Sequence, residues 1–253
     1  MDIKKYLNRI GISECDEMNV NLDLLKKLQT AHITSVPYEN LDIIYGKAIS
    51  LNEEDIYDKI VTRHRGGYCF ELNALYEKLL LGLGFQAESF FARFLRGQTG
   101  IPVRRHRVIV VTLGGERYMV DVGIGSPSPR EPLLLKEGLV QECFGESYRF
   151  EREEFLGWVL YEMHDGIWQK YLSFTEEKQL DIDFIQPSFY CEKHPDSIFN
   201  KQNMVALKTS TGRKTVDGNT FKIFEGANLV YIKEKLTRAE LDEILSKEFG
   251  IVL

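Results

Sequence analysis

Two runs of β-forming residues, His106-Arg-Val-Ile-Val-Val-Thr-Leu113 and Glu116-Arg-Tyr-Met-Val-Asp-Val-Gly-Ile124, are separated only by Gly114-Gly115. A Gly-Gly pair between β-rich runs signals a two-residue hairpin. If Leu113 pairs with Glu116, each cross-strand pair sums to the same number, so Val108 faces Asp121. His106, two residues before Val108, then lies on the same face of the sheet, with Asp121 as its diagonal neighbour. One extra residue in the turn would send Asp121 to the other face.

Around this hairpin the texture of the chain changes twice, dividing it into residues 1–84, 85–191 and 192–253. The first segment is helical. Leu22, Leu25 and Leu28 are spaced for one face, and Asn52 is placed to cap a helix entered through Glu53 and Glu54. A further helix opens near Cys69, where Leu72, Leu75, Tyr76, Leu79 and Leu80 make a buried stripe that ends at Gly82 and Gly84. The second segment holds short β-rich runs broken by Gly, Pro and charged turns, a compact barrel or sandwich. In the third, strand-like runs near Met204 and Lys214 precede Thr237-Arg-Ala-Glu240, a capping box that opens a last helix. The fold class expected is α+β, with several domains.

A chain of 253 residues with net charge −6 lacks the general basic face that nucleic acid requires. Its amino terminus carries acids and bases where a signal peptide would be apolar, and no apolar run is long enough to cross a bilayer. These features predict a cytoplasmic protein without membrane or nucleic-acid partners. The four cysteines, Cys15, Cys69, Cys143 and Cys191, are far apart and form no CxxC pair, so they read as thiols. Arg104, Arg105 and Arg107 surround His106, either as a solvated strand edge or as a guide for an anionic substrate.

Cys69 follows a Gly-Gly pair at the start of the amphipathic helix. Unpaired N–H groups at a helix start favour a thiolate, and glycines let backbone approach a ligand closely. The residue pattern leaves open a buried structural cysteine as well as a nucleophile. A nucleophile needs a base, and among His32, His64, His106, His164 and His194 the hairpin singles out His106, with Asp121 placed to hold its imidazole. The alternative for Asp121 is a tight turn in which it binds loop N–H groups. No Cys/His set has zinc spacing between His106 and Asp121, and no carboxylate pair suggests Mg²⁺, so no metal is expected.

These motifs, in order, resemble those of the arylamine N-acetyltransferases over nearly the whole chain. Ser35-Val-Pro-Tyr-Glu-Asn-Leu41 is similar to the segment before that family's nucleophile, Arg65-Gly-Gly-Tyr-Cys69 to the nucleophile motif, and Val120-Asp-Val-Gly-Ile-Gly125 to the aspartate motif. His194-Pro-Asp-Ser-Ile-Phe199 and Glu248-Phe-Gly-Ile251 resemble later segments. The resemblance implies a helical domain over 1–84 carrying the nucleophile, a β-barrel over 85–191 carrying the histidine and aspartate, and an α/β lid over 192–253. It also implies a cysteine-protease-like core in which Cys69, His106 and Asp121 form a triad. The implied activity is ping-pong transfer of acetyl from acetyl-coenzyme A to an arylamine or hydrazine, through an acetyl-cysteine. Tyr38 and His194 become candidate substrate contacts, and Tyr38 departs from the phenylalanine of many relatives. The contacts to coenzyme A are not identified. An amide synthase or thiol hydrolase on the same scaffold, or a non-catalytic binding module, are the competing readings.

Overall fold

The computed structural model describes residues 1–13 and 18–253, so Cys15 lies outside the described residues. The amino-terminal segment carries helices α1 (Ile3–Arg9), α2 (Leu22–Ser35), α3 (Leu41–Ile44), α4 (Glu53–Tyr57) and α5 (Cys69–Gly82), with a π-helical turn over Asp58–Thr62. Asn52 caps α4 through its side-chain oxygen, which accepts from the Glu54 N–H at 2.9 Å. All five residues of the apolar stripe on α5 are buried, and the helix ends at Gly82 as its glycines predict. Gly82 also lets α1 approach, since a Cβ there would sit 2.6 Å from Ile3 Cδ1. Helix α5 packs on the strands over Gln86–Phe94 and His106–Leu113 of the next segment.

Between α2 and α5 lies a two-residue strand, β1 (Tyr38–Glu39), absent from the sequence expectation. It pairs with a strand more than 160 residues later, Tyr38 opposite Ala206, and bridges Gly67 just before Cys69. No local pattern of two residues announces such a strand.

The β-rich segment forms β2 (Gln86–Phe94), β3 (His106–Leu113), β4 (Glu116–Val120), β5 (Leu133–Leu134), β6 (Val140–Cys143), β7 (Glu146–Glu153), β8 (Gly157–His164) and β9 (Ile167–Lys178). They make one eight-stranded sheet in the order β5-β4-β3-β2-β9-β8-β7-β6. Its edge strands meet where the Gln141 side chain on β6 binds the Leu134 backbone on β5 in both directions, donating to its carbonyl at 3.0 Å and accepting from its N–H at 2.7 Å. The sheet thus curls into a nearly closed barrel around Phe90, Val108, Phe150, Leu160 and Leu172. The hairpin register is the expected one, Leu113 opposite Glu116 and Ile109 opposite Val120. The second strand, however, stops at Val120 instead of running on to Ile124. Side chains take the next backbone donors: Asn73 Oδ1 accepts from the Val122 N–H and Asp121 Oδ1 from the Gly123 N–H.

Helix α6 (Ile185–Lys193) follows, crossing the expected boundary at residue 191. Strands β10 (Met204–Lys208), β11 (Gly212–Asp217), β12 (Thr220–Glu225) and β13 (Asn228–Lys233) join β1 in an antiparallel sheet, order β1-β10-β11-β12-β13. Helix α7 (Arg238–Phe249) opens on the predicted capping box and closes at Gly250 in the left-handed conformation. The class is α+β, and among the described residues no helix is long and apolar enough to cross a membrane.

Candidate active site

Cys69 is the first residue of α5 and is buried. Its N-terminal position is prepared by Glu71, whose carboxylate accepts from the Tyr68 N–H at 3.1 Å. The preceding glycines are required by the protein's own packing: a Cβ on Gly66 would lie 2.0 Å from the Pro37 carbonyl oxygen, and one on Gly67 3.0 Å from the Glu71 side chain. Around them runs a buried ion network. Arg65 binds Glu39 at 2.6 Å and Asp42 at 3.1 Å, while Lys59 joins Asp42 at 2.7 Å to Glu71 at 2.8 Å. Losing one member would leave a buried charge unpaired, so the network holds the approach to Cys69 in one geometry.

The hairpin delivers the other two candidates. His106 Nε2 is 2.6 Å from Asp121 Oδ2, with both side chains buried. With Nε2 committed to the carboxylate, Nδ1 is the ring nitrogen left for another partner. The thiol of Cys69 points at the carbonyl oxygen of Arg105, 3.8 Å away, one residue before His106. On the other side the turn after Asp121 presses on the helix start, for a Cβ on Gly123 would stand 2.8 Å from Cys69 Cα. Cys69, His106 and Asp121 therefore converge at the junction of α5, β3 and the end of β4.

The helix start alone led to the expectation of a lowered thiol pKa. In the fold, burial pushes the Cys69 thiol well up, with the Cys191 thiol and the Asp121 carboxylate adding to the rise and Arg107 N–H and Arg105 opposing it. Desolvation outweighs the helix terminus because the side chain is almost wholly removed from water. Cys143 and Cys191 are also free and buried, and burial raises Cys191 to about 12.

Tyr38 is buried in the same apolar cluster as Cys69, its ring against Gly125, where a Cβ would lie 3.0 Å away. Burial keeps its phenol well above its usual pKa and hence neutral. His194 is placed differently. It caps the end of α6 half-exposed, stacked on Tyr190 with ring centres 4.3 Å apart, and its Nδ1 accepts from the Asp196 N–H. Within the same sequence motif it is Phe199 that faces the site, lying edge-on to Tyr68 and under the Arg105 guanidinium.

Of the three arginines around His106, Arg107 belongs to neither reading of that cluster. It is buried on the opposite face of β3, bound to Ser89, Glu77 and Asp181 and stacked over Phe184. Arg104 and Arg105 do line a cavity of about 500 Å³ together with Phe91, Gln186 and Tyr190. The residues lining this cavity do not include Cys69, His106 or Asp121; Arg105, whose carbonyl oxygen lies 3.8 Å from the Cys69 thiol, borders both. Among the described residues no group of three or more His, Cys, Asp or Glu side chains could hold a metal ion.

Asn73 was not singled out by the motif reading. One turn after Cys69, its amide donates to Asp121 Oδ1 at 2.9 Å and to the Arg107 carbonyl at 2.6 Å. The i, i+4 spacing from Cys69 was the available signal.

A family profile described as N-acetyltransferase matches residues 21–253, so the protein is an acyltransferase. The arylamine N-acetyltransferase of Mycobacterium tuberculosis H37Rv is 34% identical over 257 residues, covering 99% of this chain and 89% of the relative. Among solved structures, the Salmonella typhimurium arylamine N-acetyltransferase superposes with a TM-score of 0.93 at 27% identity, covering 98% of this chain and 90% of the other. The Mycobacterium marinum enzyme in complex with CoA gives 0.91 at 31% identity, with 99% and 93% coverage. The chain belongs to the arylamine N-acetyltransferase family.

Proposed function

We propose that the protein transfers an acetyl group from acetyl-coenzyme A to an arylamine or arylhydrazine in two half-reactions, with Cys69 as carrier, His106 as base and Asp121 as the group that orients the imidazole. The observation that carries this reading is the buried His106–Asp121 contact beside a thiol at a helix start. Relatives named arylamine N-acetyltransferases and a related structure holding CoA support the choice of substrates.

Burial disfavours a lone thiolate, so ionisation of Cys69 has to occur as a pair. His106 Nδ1 takes the thiol proton, and the imidazolium so formed is stabilised by Asp121 through Nε2–H. The pair as a whole carries no added net charge into the apolar surroundings. The thiolate attacks the thioester carbonyl carbon, and first-turn N–H groups of α5, beyond the reach of the helix's own carbonyls, stabilise the oxyanion. The tetrahedral species collapses by breaking the bond to coenzyme A sulfur, which recovers the proton from His106 and leaves as the free thiol. In the second half-reaction the neutral amine attacks the acetyl-cysteine, His106 removes the amine proton, and Cys69 is released with the N-acetylated product formed.

The test separates the halves. Mixing protein with acetyl-coenzyme A alone should add one acetyl mass, mapping by peptide digestion to residues 65–73. Adding an arylamine after the donor is washed away should remove that mass and yield the acetylated amine, and water as sole acceptor should do so far more slowly. Cys69→Ser should show neither step, and Asp121→Asn, folded, should lose about 10⁴-fold in rate. Label on another cysteine, or near-normal rates in Asp121→Asn, would refute the assignment.

A further inference from the structure

We infer that Asn73 is a positioning residue that clamps the Asp121 carboxylate so that one oxygen is kept for His106. The inference rests on the transfer mechanism proposed above and adds a member to it. Asp121 Oδ1 accepts from Asn73 Nδ2 at 2.9 Å and from the Gly123 N–H at 2.8 Å, which leaves Oδ2 to His106 Nε2 at 2.6 Å. Asn73 Nδ2 also donates to the Arg107 carbonyl, the residue after His106, and Asn73 Oδ1 accepts from the Val122 N–H, the residue after Asp121. A single amide thus ties together the strand bearing the histidine and the turn bearing the aspartate.

The amide can sit only one way round. A flip would set Oδ1 against two acceptors, Asp121 Oδ1 and the Arg107 carbonyl, and set Nδ2 against the Val122 N–H. Asn73 and Asp121 are both fully buried, so no water can take over a lost bond. Because Asn73 lies one turn after Cys69, helix α5 carries both the nucleophile and the clamp, and any shift of the helix moves the two together. One turn further along the face of α5 that bears Cys69 and Asn73, Glu77 binds the guanidinium of Arg107, which projects from the helix-facing side of β3.

The test is single-turnover acetylation of Cys69 by acetyl-coenzyme A, read by mass from pH 6 to 9, in wild type, Asn73→Ala and Asn73→Asp. The expected loss in Asn73→Ala is about 10²-fold, the size of a positional error of about 1 Å. Asn73→Asp keeps the shape and can still accept from Val122 N–H, but it sets a second carboxyl against Asp121, and two such groups share one proton up to a raised pKa. While that proton is held, the introduced carboxyl can donate to Asp121; once it leaves, two carboxylates repel. Asn73→Asp should therefore exceed Asn73→Ala at pH 6 and lose that advantage by pH 9, which a role in packing alone would not produce. Rates within twofold of wild type in both variants, or a ratio between them independent of pH, would overturn the inference. A wild-type chain that takes up no acetyl group would instead overturn the transferase mechanism on which it rests.

Discussion

Gly123 lies against Cys69 Cα: a Cβ on Gly123 would come within 2.8 Å of that atom and within 2.7 Å of Asn73 Nδ2. The glycine two residues after Asp121 is therefore required by the helix carrying the nucleophile, and the turn cannot be tightened or filled without moving Cys69 or the Asp121 clamp. Its own N–H completes the set of donors on Asp121 Oδ1.

Gly123→Ala is expected to displace the helix start from the hairpin, because the atoms it meets are backbone and a hydrogen-bonded amide with no room to rotate. Acetylation of Cys69 should fall by about 10²-fold, while the melting temperature drops by the equivalent of about 1–3 kcal/mol for an overpacked site. Stopped-flow acetylation with a calorimetric scan checks both. Unchanged kinetics would mean that the contact is slack.

How much of this could be read from the chain alone depends on how local each constraint is. The β3–β4 register follows from Gly114-Gly115, because a two-residue hairpin fixes every pair, and that placed His106 beside Asp121. The capping box before α7, the Asn52 cap and the α5 stripe are likewise written within a few residues. Arg107 was grouped with its charged neighbours because its partners Glu77 and Asp181 are 30 and 74 positions away. The packing need for Gly66 was not legible because the carbonyl it accommodates, on Pro37, belongs to an earlier segment. The raised thiol of Cys69 could not be foreseen either, since desolvation depends on Asp121, Cys191 and everything else that covers it.

Tyr38→Phe tests the acceptor side. Tyr38 packs on Gly125 in the cluster that contains Cys69, and burial raises the pKa of its phenol well above the ordinary value. Removing one neutral hydroxyl changes affinity by about 1 kcal/mol where it meets a polar group. The ranking of a panel of arylamines should shift by about 5-fold, with acetylation of Cys69 by acetyl-coenzyme A altered less than twofold. Equal effects on both half-reactions would remove Tyr38 from acceptor selection.

His32 gives an acid-sensitivity prediction. It is fully buried near the end of α2, its Nε2 is 2.9 Å from the Tyr6 hydroxyl, and burial, helped by Arg9, lowers its pKa to about 3. An unfolded histidine titrates near 6.5, so between that value and 3 the unfolded state binds a proton that the folded state refuses. The stability this neutral imidazole permits is complete above 6.5 and falls by about 1.4 kcal/mol per pH unit as pH drops through the window. His32→Gln keeps a partner for Tyr6 but cannot titrate. Urea midpoints measured from pH 7 to 4 should decline less steeply in the variant, and parallel curves would mean that His32 is solvated.

Lys208 should show the same sign of pH dependence as His32, in a more alkaline window. It ends β10 with its side chain buried, 3.6 Å from a partly exposed Glu146 carboxylate, and Arg130 is close enough to add repulsion. Burial is the main cause of a pKa lowered to about 8, with Arg130 contributing and Glu146 working against it. Below pH 8 the folded protein carries a poorly solvated ammonium that the unfolded chain hydrates freely. Between 8 and the ordinary lysine value near 10.5 the unfolded state holds the proton and the folded state does not, so stability rises with pH across that interval. The penalty at pH 7 is of order 3 kcal/mol. Lys208→Met fills the same volume without charge, so its urea midpoint should exceed that of wild type at pH 7, with most of the advantage gone by pH 10. Taking the difference between the two proteins cancels the titration of every other group. A gap that stays constant across that range would show that Lys208 reaches water in the folded state, and that Glu146 and Arg130 leave its proton affinity unchanged.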